Sequence, residues 1–419
     1  MKITDIRPEV YEMAQRAQER LRTRFDEIDA VAEKNTRKVM EAFQNKRVSE
    51  ACFAGTTGYG YDDLGRDTLD GIYAEIFHTE AALVRLGFVN GTHALTCALF
   101  ALAKPGQRIL AVTGEPYDTL RTAIGLTGDT FGSLKYYGIG YGQVELRASG
   151  EPDYEAIRKA VQAPDVAAVV VQRSRGYGDR RALGVEEIGR IIRAVKETRS
   201  DVFVMVDNCY GEFVELSEPT DVGADLIAGS LIKNPGGGVA PTGAYIAGKR
   251  VLVERAAMRL TTPGIGGECG STLGNNRLLY QGLFLAPHTT AQALKTACFC
   301  AAMMDELGIE SSPGALEARS DIIQMIRLGS PERMKRFCLG IQAGAPVDAY
   351  VTPEPWAMPG YDCPVIMAAG AFIQGSSIEL SADGPMREPY LVYMQGGLTY
   401  ESGKLGIMMA VSAMLDAGV

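Results

Sequence analysis

Lys233 lies in the stretch GADLIAGSLIKNPGGG (223–238), between an apolar run and a cluster of glycines, with Ser230 three residues before it. Two chemistries that can use a lysine so placed are poorly matched. GAYIAGK at 243–249 has the GxxxxGK spacing of a phosphate loop, but Arg250 follows where Ser or Thr belongs, and the intervening residues read as a strand. Ser230 and Lys233 form an SxxK tetrad, in which lysine deprotonates a nucleophilic serine, yet the companion SDN and KTG motifs are missing.

A third chemistry is a Schiff base between Lys233 and pyridoxal 5'-phosphate, an aldehyde cofactor that needs an amine with few competing charges. It demands further residues. A buried carboxylate must keep the pyridine nitrogen protonated, and VFVMVDN puts Asp207 at the C-terminal end of an apolar strand, where parallel sheets bind ligands. A phosphate needs a helix N-terminus and small hydroxyls; NGTHALTCALFAL offers Gly91, Thr92 and His93, and Ser230 adds a hydroxyl. Tyr117, in GEPYDTL, supplies a flat neighbour for the ring. Singly, these residues read equally well as a capping aspartate, a turn glycine, a half-buried tyrosine and a loop serine. Their joint occurrence in this order is much harder to obtain by accident.

The elements that must position them follow from the pattern. Short apolar runs (RILAV, VAAVVVQRS, DVFVMVDN, ADLIAG, GAYIAG) alternate with helical stretches (THALTCALFALA, PDYEAIRKAVQ capped by Asp153, GVEEIGRIIRAVKET). That alternation predicts an α/β fold, a mostly parallel sheet covered by helices on both faces. LDGIYAEIFHTEAALVRL, with Ile72, Ile76, Phe77, Leu83 and Val84, suggests one amphipathic helix. Three segments are expected: a charged helical arm over 1–50, a large domain over 51–294, and a smaller C-terminal domain of mixed strand and helix over 295–419.

Composition narrows the function. A formal charge of −9 and a pI near 5.2 argue against a broad nucleic-acid surface. The 8 cysteines show no CxxC pair, as expected of reduced thiols in the cytoplasm, and the 3 histidines are not at metal-ligand spacing. The longest weakly charged runs are interrupted by Gln, His, Thr and Pro, so no membrane span is expected.

The motifs NGTHA, EPYDT, VDNCYGEF and GADLIAGSLIKNPGGG resemble fold-type I pyridoxal-phosphate enzymes, in particular the cystathionine lyases and methionine gamma-lyase. QRSRGY, SLIKNPGGGVAPTG, YQGLFLAP and VIMAAGAF more closely resemble the aluminium resistance branch, which is methionine gamma-lyase-like. The resemblance runs from about residue 50 to the C-terminus. It implies a homodimer or homotetramer with shared active sites, in which a tyrosine and an arginine of the neighbouring subunit reach the cofactor phosphate. In GYGYDDLGR these would be Tyr59 or Tyr61, and Arg66. The lyases' C-terminal arginine for the substrate carboxylate is replaced here by Glu379-Leu380-Ser381, which leaves Arg387, Arg173 and Arg175 as candidates. The implied activity is carbon–sulfur bond cleavage of a sulfur amino acid of cystathionine, cysteine or methionine type by α,β- or α,γ-elimination, with Lys233 as base and Asp207 and Tyr117 assisting. An aminotransferase, another eliminase, or a cofactor-binding stress protein are the alternatives.

Overall fold

The computed structural model describes residues 1–128, 131–358 and 363–418. Its larger sheet has seven strands: β1 (Ala81–Arg85), β2 (Arg108–Ala111), β3 (Gly140–Gln143), β4 (Val166–Gln172), β5 (Phe203–Asp207), β6 (Leu226–Ser230) and β7 (Ala244–Gly248). Their spatial order is 1-7-6-5-4-2-3. All pairings are parallel except those of β7, which runs against both β6 and β1. The chain therefore has the expected α/β architecture of a fold-type I enzyme.

Alternate residues of the central strands feed opposite layers. Val204, Val206 and Ile227 join one apolar core, while Phe203, Met205, Leu226 and Ala228 join the other. The same alternation puts Asp207 and Ser230 on the face covered by the helix Gly91–Leu102, and Gly229 on the opposite, rear face.

One expected element is corrected. The amphipathic helix ends at Ile76, His78 adopts φ 49°, and Leu83 and Val84 belong to strand β1. The run AALVR is buried along four of its five residues and pairs with β7, so tertiary burial overrides the helical spacing.

A second sheet is wholly antiparallel, in the order β10-β11-β12-β9-β8, from β8 (Ser311–Ser312), β9 (Gln324–Arg327), β10 (Val365–Ala369), β11 (Ser381–Pro385) and β12 (Leu391–Gln395). Helices Pro331–Ala343 and Tyr400–Asp416 pack with it in a shared core. The helix Asn276–Glu306 bridges the core of Val204 and Val206, the first, and this core of the antiparallel sheet, the second: Leu279, Tyr280 and Leu283 pack with the first, and Ala297 through Met304 with the second. Residue 295 thus falls inside a continuous helix. The N-terminal helices Pro8–Arg20 and Arg22–Asn45 pack on their own chain, with Val10, Ala14 and Ile28 in the second core and Val39 and Ala42 in the first. No described helix is long and apolar enough to cross a membrane.

Candidate active site

Asp207 ends β5 with its carboxyl buried, and its Oδ1 accepts the Cys209 N–H at 3.1 Å. An apolar hollow lined by Leu95, Leu99, Val170 and Met205 lies against it. Burial pushes its pKa up, and the charge of Lys233 opposes that shift. Lys233 follows β6 and the short turn 231–232, and its Nζ sits 3.7 Å from the centre of the Tyr210 ring. Burial pulls its pKa down, but Tyr210, Cys209 and Asp207 together outweigh this and hold the ammonium above its ordinary value. A buried carboxylate and a lysine thus face one another at the C-terminal edge of the parallel strands, the place where such sheets hold ligands.

Next to them is an anion cradle. The helix Gly91–Leu102 is capped by Asn90, whose Oδ1 accepts the His93 N–H at 2.8 Å. A Cβ on Gly91 would stand 3.2 Å from Ser230 Cβ and 3.9 Å from Cys209 Sγ, so glycine keeps that space open. Thr92 Oγ1 is 2.8 Å from Thr119 Oγ1, and Ser230 Oγ accepts the Ile232 N–H at 3.4 Å. The His93 ring turns away: Nδ1 accepts the Val89 N–H at 3.3 Å, and the ring stands edge-on to Phe88. Burial and Arg259 lower its pKa, so His93 is a neutral part of the helix cap. A helix N-terminus with two small hydroxyls fits a phosphate, and the buried Asp207 fits a protonated ring nitrogen; both suit pyridoxal phosphate.

Tyr117 precedes the helix Asp118–Ile124, donates its N–H to Gln172 Oε1 at 3.0 Å, and stands edge-on to Tyr177 with ring centres 6.0 Å apart. Tyr117, Gln172, Arg175, Tyr177, Arg180 and Arg387 line a cavity of about 340 Å³. The three candidate arginines separate here. Arg173 is 0% exposed and committed to Asn208 Oδ1 (2.8 Å), Glu215 (2.8 Å) and Glu218 (3.4 Å). Arg175 is buried at the cavity wall, gives Nη1 and Nη2 to Ser312 (2.8 and 3.2 Å), and leaves Nε buried without a partner. Arg387 lies exposed at the mouth.

Tyr59 and Tyr61 are exposed and stacked, 5.5 Å between ring centres. Arg66 is buried beneath them, donating to the carbonyls of Gly60, Gly270 (3.1 Å) and Glu268 (3.3 Å). Asp63 ties this loop down by accepting from Arg66 N (2.9 Å), Thr272 Oγ1 (2.6 Å) and Asn276 Nδ2 (3.1 Å). These contacts tie the loop to residues 268–276, and none of them joins it to the group around Lys233.

Sequence reasoning did not single out Tyr210, Tyr177, Asp321 or Asp383. An aromatic three residues after Asp207 was readable in VDNCYGEF. Asp321, whose Oδ2 accepts from Ser174 Oγ (3.1 Å) and Arg175 N (3.3 Å), reaches this wall from more than a hundred residues away, which no local pattern announces. Asp383 looks like part of a turn, yet it is buried in β11, accepts from Gln395 Nε2 at 3.1 Å, and is pushed up in pKa by burial.

Comparison with known proteins gives a family match over residues 10–415, to the model described as methionine gamma-lyase. The chain is 49% identical over 391 residues to the uncharacterized protein YnbB of Bacillus subtilis, covering 93% of each. It superposes with a TM-score of 0.94 at 53% identity on a Clostridium novyi structure described as a carbon-sulfur lyase involved in aluminum resistance, covering 97% of this chain and 96% of that one. Similarity to the L-methionine gamma-lyase of Pseudomonas putida is 28% over 218 residues, 52% of this chain and 50% of that protein.

Proposed function

The chain belongs to the methionine gamma-lyase family, whose cofactor is pyridoxal 5'-phosphate, and from that premise we propose that it cleaves the carbon–sulfur bond of a sulfur amino acid of cystathionine, cysteine or methionine type. Water completes the reaction, and the products are a thiol (hydrogen sulfide in the case of cysteine), a 2-keto acid and ammonia. The observation that carries this reading is the placement of Lys233 and Asp207 at one strand edge beside the open cradle of Gly91 and Ser230.

When bound, the cofactor supplies an electron sink that stabilises negative charge at the substrate Cα. The chain's residues do the rest. Thr92, Ser230 and the N-terminus of the helix Gly91–Leu102 hold the phosphate. Asp207, buried and facing the positive charge of Lys233, would keep the ring nitrogen protonated. Tyr117 lines the substrate cavity and would supply the flat neighbour for the ring. Arg175 brings its positive charge to the cavity wall for the substrate carboxylate, and Arg387 adds charge at the mouth. Lys233 Nζ would hold the cofactor's aldehyde and, as the free amine, would act as the general base that takes the Cα proton. Two copies of the chain complete one site, with the exposed Tyr59 and Tyr61 and the loop shaped by Arg66 reaching the neighbour's phosphate.

The test is incubation of the cofactor-loaded protein with a panel of sulfur amino acids, assaying thiol, keto acid and ammonia together. Stoichiometric release of all three supports elimination. Keto acid without ammonia would mean transamination, and no turnover with any sulfur amino acid would defeat the proposal.

A further inference from the structure

Behind the sheet, on the face away from the cradle, lies a buried polar cluster that the reaction above does not use. Its centre is Glu212, in the turn that leaves β5 after Asp207, with no exposed surface. Glu212 Oε1 accepts the Tyr245 hydroxyl of β7 at 2.9 Å, and Asn208 Nδ2 reaches that hydroxyl at 3.3 Å. Glu212 Oε2 is buried with no partner. A Cβ on Gly229 would stand 2.2 Å from Glu212 Oε1, so the carboxyl fills the side-chain space of the residue just before Ser230. The Glu212 carbonyl accepts Asn234 Nδ2 at 3.0 Å, and Asn234 directly follows Lys233.

One residue therefore touches three pieces of the site: the turn carrying Asp207 and Tyr210, strand β6 behind Ser230, and the turn after Lys233. We propose that Glu212 is a positioning residue for the cofactor site, holding these three pieces against one another from the rear of the sheet. This rests on the reading of Lys233, Asp207 and Ser230 as the cofactor's holders.

The arrangement suits a neutral acid. An ionised carboxylate with one oxygen buried and unpartnered is costly, and its charge would sit a strand's thickness behind an anionic phosphate. Glu212 faces Tyr245 on β7, Tyr73 on the helix Leu64–Ile76, and Cys209, Glu218 and Arg173. Burial pushes its pKa up to about 8, with Glu218 adding to the rise and its own N–H, Tyr245 and Arg173 opposing it. Raising the pH through that value places a new charge at the bracket and loosens it.

The experiment compares the pyridoxal phosphate affinity of the full-length wild type and Glu212→Gln across neutral and alkaline pH, read from the absorbance of the bound cofactor. Lys233 titrates in both, so the ratio of their affinities isolates Glu212. We expect wild-type affinity, relative to the variant, to fall by up to about tenfold per pH unit once the acid ionises. Profiles that run parallel would overturn the inference. Should Glu212→Gln not fold, Tyr245→Phe decides: losing the donor to Oε1 disfavours ionisation, so the alkaline break must move to higher pH, and an unmoved break overturns the inference. Unfolding of the cofactor-free proteins supplies a readout independent of the functional reading. An acid whose pKa is raised on folding binds more protons when folded. Wild-type stability must therefore decline relative to Glu212→Gln as pH rises from the ordinary carboxylate range towards about 8. A wild type that takes up no cofactor would defeat the functional reading, and this second comparison would still show whether the buried acid is neutral; a flat comparison would overturn the inference.

Discussion

Tyr210 links Lys233 to the connection between β10 and β11: its ring lies 3.7 Å from the lysine Nζ, and its hydroxyl donates to Ser377 Oγ at 3.1 Å. The ring supports the ammonium form of the lysine, whereas bonding to an aldehyde requires the neutral amine. Tyr210→Leu should therefore lower the Lys233 pKa and shift the pH dependence of cofactor uptake to lower pH. A cation–π contact of about 1 kcal/mol corresponds to a roughly fivefold faster uptake at neutral pH. Stopped-flow absorbance measures it, and an unshifted profile would refute the role given to the ring.

Lys233→Ala removes the amine that faces Asp207 beside the cradle. The visible absorbance of the bound cofactor should vanish and turnover should fall below detection, while circular dichroism remains that of a folded protein. Retained absorbance after dialysis would point to another lysine.

Asp207 carries opposite consequences for stability and activity. Burial raises its pKa, so in the cofactor-free chain its ionisation opposes folding as pH rises above the ordinary carboxylate range. Asp207→Asn should thus melt no lower than wild type without cofactor at neutral pH, yet lose about a hundredfold or more in turnover because the ring nitrogen is no longer held protonated. A variant with wild-type turnover would remove Asp207 from the site.

Arg173 and Arg175, two residues apart, should fail differently. Arg173→Ala leaves Glu218 buried without its cation and should destabilise the fold by about 3–5 kcal/mol. Arg175→Ala should mainly raise KM for an amino-acid substrate, by about tenfold to a hundredfold, as the substrate carboxylate loses a charged donor. Denaturant melts and steady-state kinetics on both variants check the pair; a KM effect confined to Arg387→Ala would move the carboxylate site to the cavity mouth.

Gly91 offers a steric test. A Cβ there would approach Ser230 Cβ to 3.2 Å and intrude on the cradle. Gly91→Val should weaken cofactor affinity by at least about tenfold, more than Thr92→Val, while leaving the cofactor-free fold intact. Equal affinities would show that the phosphate lies elsewhere.

How much of this was readable in the sequence depended on how local each signal is. Strands such as VAAVVVQ and FVMVD announce themselves as short, valine-rich apolar runs, and Asp207 ends one of them at a fixed place in its alternation. Asp153 and Ser330 cap helices through contacts three residues away, also a local event. By contrast, SADGP has the composition of a turn and becomes a fully buried strand only because β10 and β12 flank it. The roles of Arg173 and Arg175 were inseparable for the same reason: the acids at 215, 218 and 321 that sort them are distant in the chain.

The helix Asn276–Glu306 is shared by both apolar cores, and the N-terminal helices clasp it along the way. Rotating one sheet against the other would have to bend this helix, so we expect ligand traffic to fall to the loops around Tyr117 and Tyr177. Turnover should then be gated by small loop displacements at the cavity mouth, and stiffening those loops should slow product escape without touching the bond-breaking step.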